Sequence, residues 1–135
     1  MLWMMALALA LDLATIKVEP RLEKRSELAL SYADNAVNKA RDAYNKGEYE
    51  KCTEALEEVR AAVTLSYESL LATGKEPRKT GAFKDAEKDT RQLLRRLESL
   101  KDMMSVVDRP TIEPIQKVVS DVHDALLQGI MSKKK

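Results

Sequence analysis

Four successive stretches between residues 21 and 131 obey one constraint: their apolar residues return at every third or fourth position, the spacing that gathers side chains on one face of an α-helix. The third stretch, residues 83–107, is the most regular. Phe83, Ala86, Thr90, Leu93, Leu97, Leu100, Met104 and Val107 step by three and four in strict alternation, a heptad-like seam that predicts a shallow left-handed packing angle. Its regularity would also suit a second copy of the chain, so self-association through this seam is one expectation.

The first stretch, residues 21–46, carries Ala29, Ala33, Ala36, Ala40 and Ala43 on its seam, which permits close approach of a neighbouring helix. Leu28, Tyr32, Val37 and Tyr44 widen that seam into an apolar face. Gly47 then stands where a helix C-terminus wants a left-handed residue. The second stretch, residues 49–73, runs through Tyr49, Cys52, Leu56, Val59, Val63, Ser66, Leu70 and Thr73 and stops at Gly74. Only Gly47 and Glu48 separate these two helices, so they are expected to fold back as a hairpin.

Residues 74–81, GKEPRKTG, hold two glycines, a proline and no large apolar residue, and read as a crossover between hairpins. After Asp108-Arg109-Pro110 a fourth helix is expected from Thr111 or Ile112, with Pro114 in its first turn, where the missing amide hydrogen has no helical partner. Ile112, Ile115, Val119, Val122, Leu126 and Ile130 line its inner face. None of the four helices can hide its apolar face alone. The expected fold is all-α: an antiparallel four-helix bundle of two helical hairpins over residues 21–131, with a basic tail at residues 132–135.

Upstream lie two further segments. Residues 15–19, TIKVE, alternate polar and apolar before Pro20, so residues 11–20 are expected to be a short extended strap. Residues 1–11, MLWMMALALAL, are unbroken apolar sequence, too short for the roughly 20 residues that span a bilayer. Their length suits the apolar region of an export signal. Ala8-Leu9-Ala10 offers the small-x-small pattern of a cleavage site, giving a signal peptide at residues 1–10 and a mature chain near Leu11. No Lys or Arg precedes the apolar run. A retained segment that packs or dimerises in a cytoplasmic protein is therefore the alternative to a periplasmic or secreted one.

Tyr44, Gly47, Tyr49 and Cys52, followed by Leu56 and Val59, resemble the middle of a tetratricopeptide repeat, where a small residue closes the first helix and an aromatic opens the second. Ala40, Gly47, Tyr49 and Cys52 match its small, glycine, aromatic and small positions over residues 40–64. Thr64 stands where a proline often closes the unit, and no second copy follows at the repeat's period. The resemblance implies the packing geometry of a helical hairpin.

Charge and chemistry narrow the function. Twenty-three Lys and Arg nearly cancel 22 Asp and Glu, leaving no field to draw in nucleic acid or an anionic membrane. Trp3, Phe83 and four tyrosines are not interleaved with basic residues as a base-stacking surface requires. The lone Cys52 cannot form an intramolecular disulfide and reads as a buried thiol. The only histidine, His123, lies between Asp121 and Asp124, whose shared helical face excludes it, so a metal centre is not expected there. Glu48, Glu50, Glu54, Glu57 and Glu58 lack the Glu-x-x-His partner of a di-metal bundle and read as a solvated face. No phosphate-cradling loop, nucleophile set or dinucleotide fingerprint is present.

These readings predict a non-catalytic interaction or structural module without cofactors; a small-ligand- or metal-binding bundle with a polar pocket between its helices is a further alternative. Lys75, Arg78 and Lys79 in the crossover, with Lys84, Arg91 and Arg95 on the third helix, form the candidate surface for an acidic protein partner. The competing reading pairs them with Asp85, Glu87, Asp89 and Glu98 at helical spacings.

Overall fold

The computed structural model describes residues 12–132 and is all-helical, with five helices packed against one another and no strand among those residues. They are α1 (Leu13–Lys17), α2 (Leu22–Asn45), α3 (Tyr49–Ala72), α4 (Gly81–Met103) and α5 (Glu113–Met131), with 3-10 turns at Pro77–Lys79 and Arg109–Thr111. The expected signal peptide at residues 1–10 lies outside the described residues, as do the last three lysines.

Residues 13–17 are helical where an extended strap was expected. Asp12 caps this helix by accepting from the Thr15 amide at 2.9 Å, which supplies the start signal. The restriction imposed by Pro20 reaches only the preceding residue. Ile16 fixes α1 against the bundle at 2% exposure. The turn into α2 is held by the Arg25 guanidinium, which donates to the Glu19 carbonyl at 2.8 and 3.0 Å.

The first hairpin follows its sequence closely. All five seam alanines of α2 are buried, and α2 with α3 forms the most extensive helix contact among the described residues. Small side chains let the two backbones approach. Gly47 adopts φ +76°, while the Glu48 amide donates to Ala43 O at 2.8 Å and the Gly47 amide to Tyr44 O at 3.0 Å. This pair of bonds is the Schellman closure that a left-handed residue makes possible. Lys39 meets Glu58 near the turn and Ser26 meets Ser66 far from it, so the helices run antiparallel. Tyr49, expected on the seam, is instead 56% exposed, because as the first residue of α3 it lies where the chain is still leaving the turn.

The second hairpin is also antiparallel, as Lys101 with Glu113, Glu98 with Gln116, and Glu87 with His123 record. Its seam from Phe83 through Leu93, Leu97 and Leu100 is consumed in the core. The seam is thus occupied within the molecule. α4 ends at Met103, four residues before the expected Val107. Met104 turns to extended backbone but stays buried, and Val107 is 85% exposed. The Tyr44 hydroxyl accepts from the Ser105 amide at 2.9 Å, replacing the bond a continuing helix would have made.

Between hairpins, α2 packs beside α4 and α3 beside α5, whereas α3 and α4 barely touch. Glu23 meets Lys75 and Thr80 at one end and Arg41 meets Ser99 towards the other, so α2 and α4 run in the same direction. The bundle is therefore antiparallel within each hairpin and like-directed between hairpins. The link across residues 73–80 is long enough to carry the chain from the end of α3 to the diagonally placed start of α4.

Candidate interaction surface

The six basic residues expected to act together are divided by the fold. Lys75 reaches back to Glu23 on α2 at 3.0 Å, and Lys79 pairs with Glu76 within the crossover at 3.3 Å. Arg78 is half-buried in the Pro77–Lys79 turn. These three belong to the seam between hairpins, so part of their charge is spent on holding the crossover.

Lys84, Arg91 and Arg95 lie along the solvent side of α4, where Lys88 joins them; all four are exposed. At 3.6 residues per turn they fall within an arc of roughly 60°, opposite the buried Phe83, Ala86, Thr90, Leu93 and Leu97. Arg91 is partly engaged, bonding Glu87 at 3.1 and 3.3 Å. Lys84 and Arg95 make no ion pair among the described residues. Arg96, on the same helix, points elsewhere and binds Asp34 and Asn38 of α2.

His123 has a role that sequence spacing did not show. It donates from Nε2 to Glu87 Oε2 at 2.8 Å across the α4–α5 contact, and both side chains are 14% exposed. Burial raises the Glu87 carboxyl, but the hydrogen bond from His123 and the neighbouring Arg91 outweigh it and hold Glu87 below its ordinary range. The only other carboxylate in ion-pair distance of His123 among the described residues is Asp124, 3.5 Å from Nδ1. The antiparallel register of the second hairpin, once drawn, would have placed Glu87 opposite His123; spacing along one helix could not.

Beside the basic stripe, a cleft of about 540 Å³ opens between the first turns of α2 and α4, bordered by Glu23, Glu27, Asp85 and Asp89. Desolvation raises the Asp89 carboxyl, and the charges of Asp85, Asp34 and Glu27 add to it against the opposing Lys88. Among the described residues no group of three His, Cys, Asp or Glu is arranged to hold a metal ion. Cys52 is 2% exposed, and burial followed by the Asp108 charge pushes its thiol up, so the reactive thiolate is disfavoured. No described helix is long and apolar enough to cross a membrane.

No protein family, curated protein or solved structure matches the chain.

Proposed function

We propose that this chain is an exported, periplasmic or secreted, non-catalytic helical-bundle protein that serves as an interaction or structural module. The observation that carries the interaction reading is the stripe Lys84, Lys88, Arg91 and Arg95, displayed on a rigid helix whose opposite face is locked into the core. Charges on such a face cost no backbone ordering when a partner docks, which favours recognition by a protein segment rich in Asp and Glu.

Export draws its support from Ala8-Leu9-Ala10 and from the place where α1 begins. Cleavage after Ala10 would leave the Asp12 cap and the Ile16 anchor untouched. Mass spectrometry of the protein purified from its native cell tests this: a first residue at or beside Leu11 supports export, and an intact Met1 overturns it. The unbroken apolar character of residues 1–11 equally suits a second reading, a cytoplasmic adaptor that keeps the segment for packing or dimerising. The same measurement separates the two.

The interaction reading is tested with poly-L-glutamate as a probe acidic chain. Binding at low salt that is lost on Lys84→Glu with Arg95→Glu, and kept on Lys117→Glu of α5, supports it. Equal loss in both variants reduces the effect to net charge and overturns it.

A further inference from the structure

A second stripe of the opposite sign runs along α3. Glu50, Glu54, Glu57 and Glu68 are all exposed, and at 3.6 residues per turn they too share an arc of roughly 60°. That arc lies opposite the buried Cys52, Leu56, Val59, Val63 and Leu70. Glu57 is partly engaged by Arg60 at 3.2 Å, while Glu50, Glu54 and Glu68 form no ion pair among the described residues. Exposed Ala61 interrupts the acidic run with a small side chain, leaving room for a long basic one.

α3 and α4 occupy diagonal corners of the bundle and barely touch. Since each stripe faces away from the core, the acidic and basic stripes point out of opposite sides of one molecule. The two helix faces therefore carry opposite charge over residues 84–95 and 50–68, with exposed Asp102 closing the α4 stripe at its C-terminal end.

We infer that the occupant of the α4 basic stripe is the α3 acidic stripe of a second copy of this chain. The inference rests on the reading of α4 as an interaction surface and names its partner. Charge complementarity decides the choice: both faces are built on long helices, Lys84 to Arg95 step by four, three and four residues while Glu50 to Glu57 step by four and three before the longer gap to Glu68, and both hold groups without an ion pair among the described residues. The contact is heterologous. Because the two stripes lie on opposite sides, a pair of copies always leaves one stripe free at each end, and growth continues instead of closing about a two-fold axis. Attraction of this kind is strong when the screening length is roughly 30 Å at about 0.01 M salt, and collapses when it is roughly 3 Å at about 1 M.

Sedimentation of the purified protein over a range of concentrations at these two salt levels tests the inference. The expected result is an average mass that rises with concentration past that of a dimer at low salt and returns to the monomer at high salt. Two variants, Lys84→Glu with Arg95→Glu and Glu54→Lys with Glu68→Lys, should each be monomeric alone and should associate when mixed. Circular dichroism verifies that both remain helical.

A wild-type monomer at low salt overturns the inference, as does association that persists at high salt or in either variant alone. If the wild type is monomeric yet still binds poly-L-glutamate through α4, self-recognition fails while the interaction surface stands. If it does neither, both readings fail.

Discussion

The hydroxyls of Ser26 and Ser66 meet at 2.7 Å inside the bundle, where α2 passes α3. Both residues are almost fully buried, so each hydroxyl satisfies the other in a place water does not reach. One turn further along α3, Ser69 is just as buried, and its Oγ has no hydrogen-bond partner among the described residues. The two serines of α3 should therefore respond oppositely to the same change. Ser66→Ala strands the Ser26 hydroxyl and is expected to cost about 1–3 kcal/mol, whereas Ser69→Ala removes an unpaired polar group and should be neutral or stabilising. Urea unfolding of the two variants checks this; equal destabilisation would count against the hydrogen-bond assignment.

Tyr44 joins the turns of the two hairpins. Its hydroxyl donates to Asp108 Oδ2 at 2.8 Å and accepts from the Ser105 amide, and Ser105 Oγ donates to the same carboxylate at 2.9 Å. Tyr44→Phe keeps the ring contact with Tyr49, whose centroid lies 5.3 Å away, but loses both bonds. A loss of about 1–2 kcal/mol is expected, since one bond is to a charged group. In a double-mutant cycle with Asp108→Asn the two changes should be non-additive.

Core packing differs between the hairpins. Leu97 is fully buried, so Leu97→Ala should cost about 2–5 kcal/mol by leaving a cavity, and Leu97→Asp should prevent folding by burying an unpaired charge. In the first hairpin the opposite error is damaging. Ala33, also fully buried, sits where α2 and α3 approach closely, and Ala33→Leu should cost about 1–3 kcal/mol or more through overpacking. Thermal denaturation followed by circular dichroism reads all three variants, and a stable Leu97→Asp protein would refute the core assignment.

Two carboxylates set opposing pH trends. Glu87 is held below its ordinary range, so the unfolded chain binds more protons than the folded one as the pH falls into the acid range. Its contribution is complete above the ordinary glutamate value and is lost as pH drops through the lowered folded value. Glu87→Gln should therefore cost about 1–2 kcal/mol at neutral pH and flatten acid denaturation. Asp89 is raised, so its penalty is present at neutral pH and relieved on acidification; Asp89→Asn should stabilise the neutral protein. Denaturant titrations at several pH values would show the two slopes with opposite signs.

The four long helices, their buried faces and the Gly47 turn were legible because each is a local matter: periodicity selects the buried side, and a left-handed residue closes the helix. The same logic misread residues 15–19, where a period-two pattern five residues long competed with an aspartate cap and the burial of Ile16. It also carried α4 to Val107, since a seam continues on paper even where Tyr44 takes over the backbone bond of Ser105.

The candidate surface shows the limit of local reading more sharply. Lys75 and Arg95 look alike in sequence, yet one is tied to Glu23 across 52 residues of chain while the other, exposed on α4, has no ion pair among the described residues. His123 likewise found Glu87 on another helix. Sequence by itself determined which faces of which helices would be apolar, because that depends on spacing within one helix. Only the tertiary structure decided which helices became neighbours and which charges stayed free, because pairing across helices depends on the direction of the crossover and the register of each hairpin, and neither is written in any single stretch of the chain.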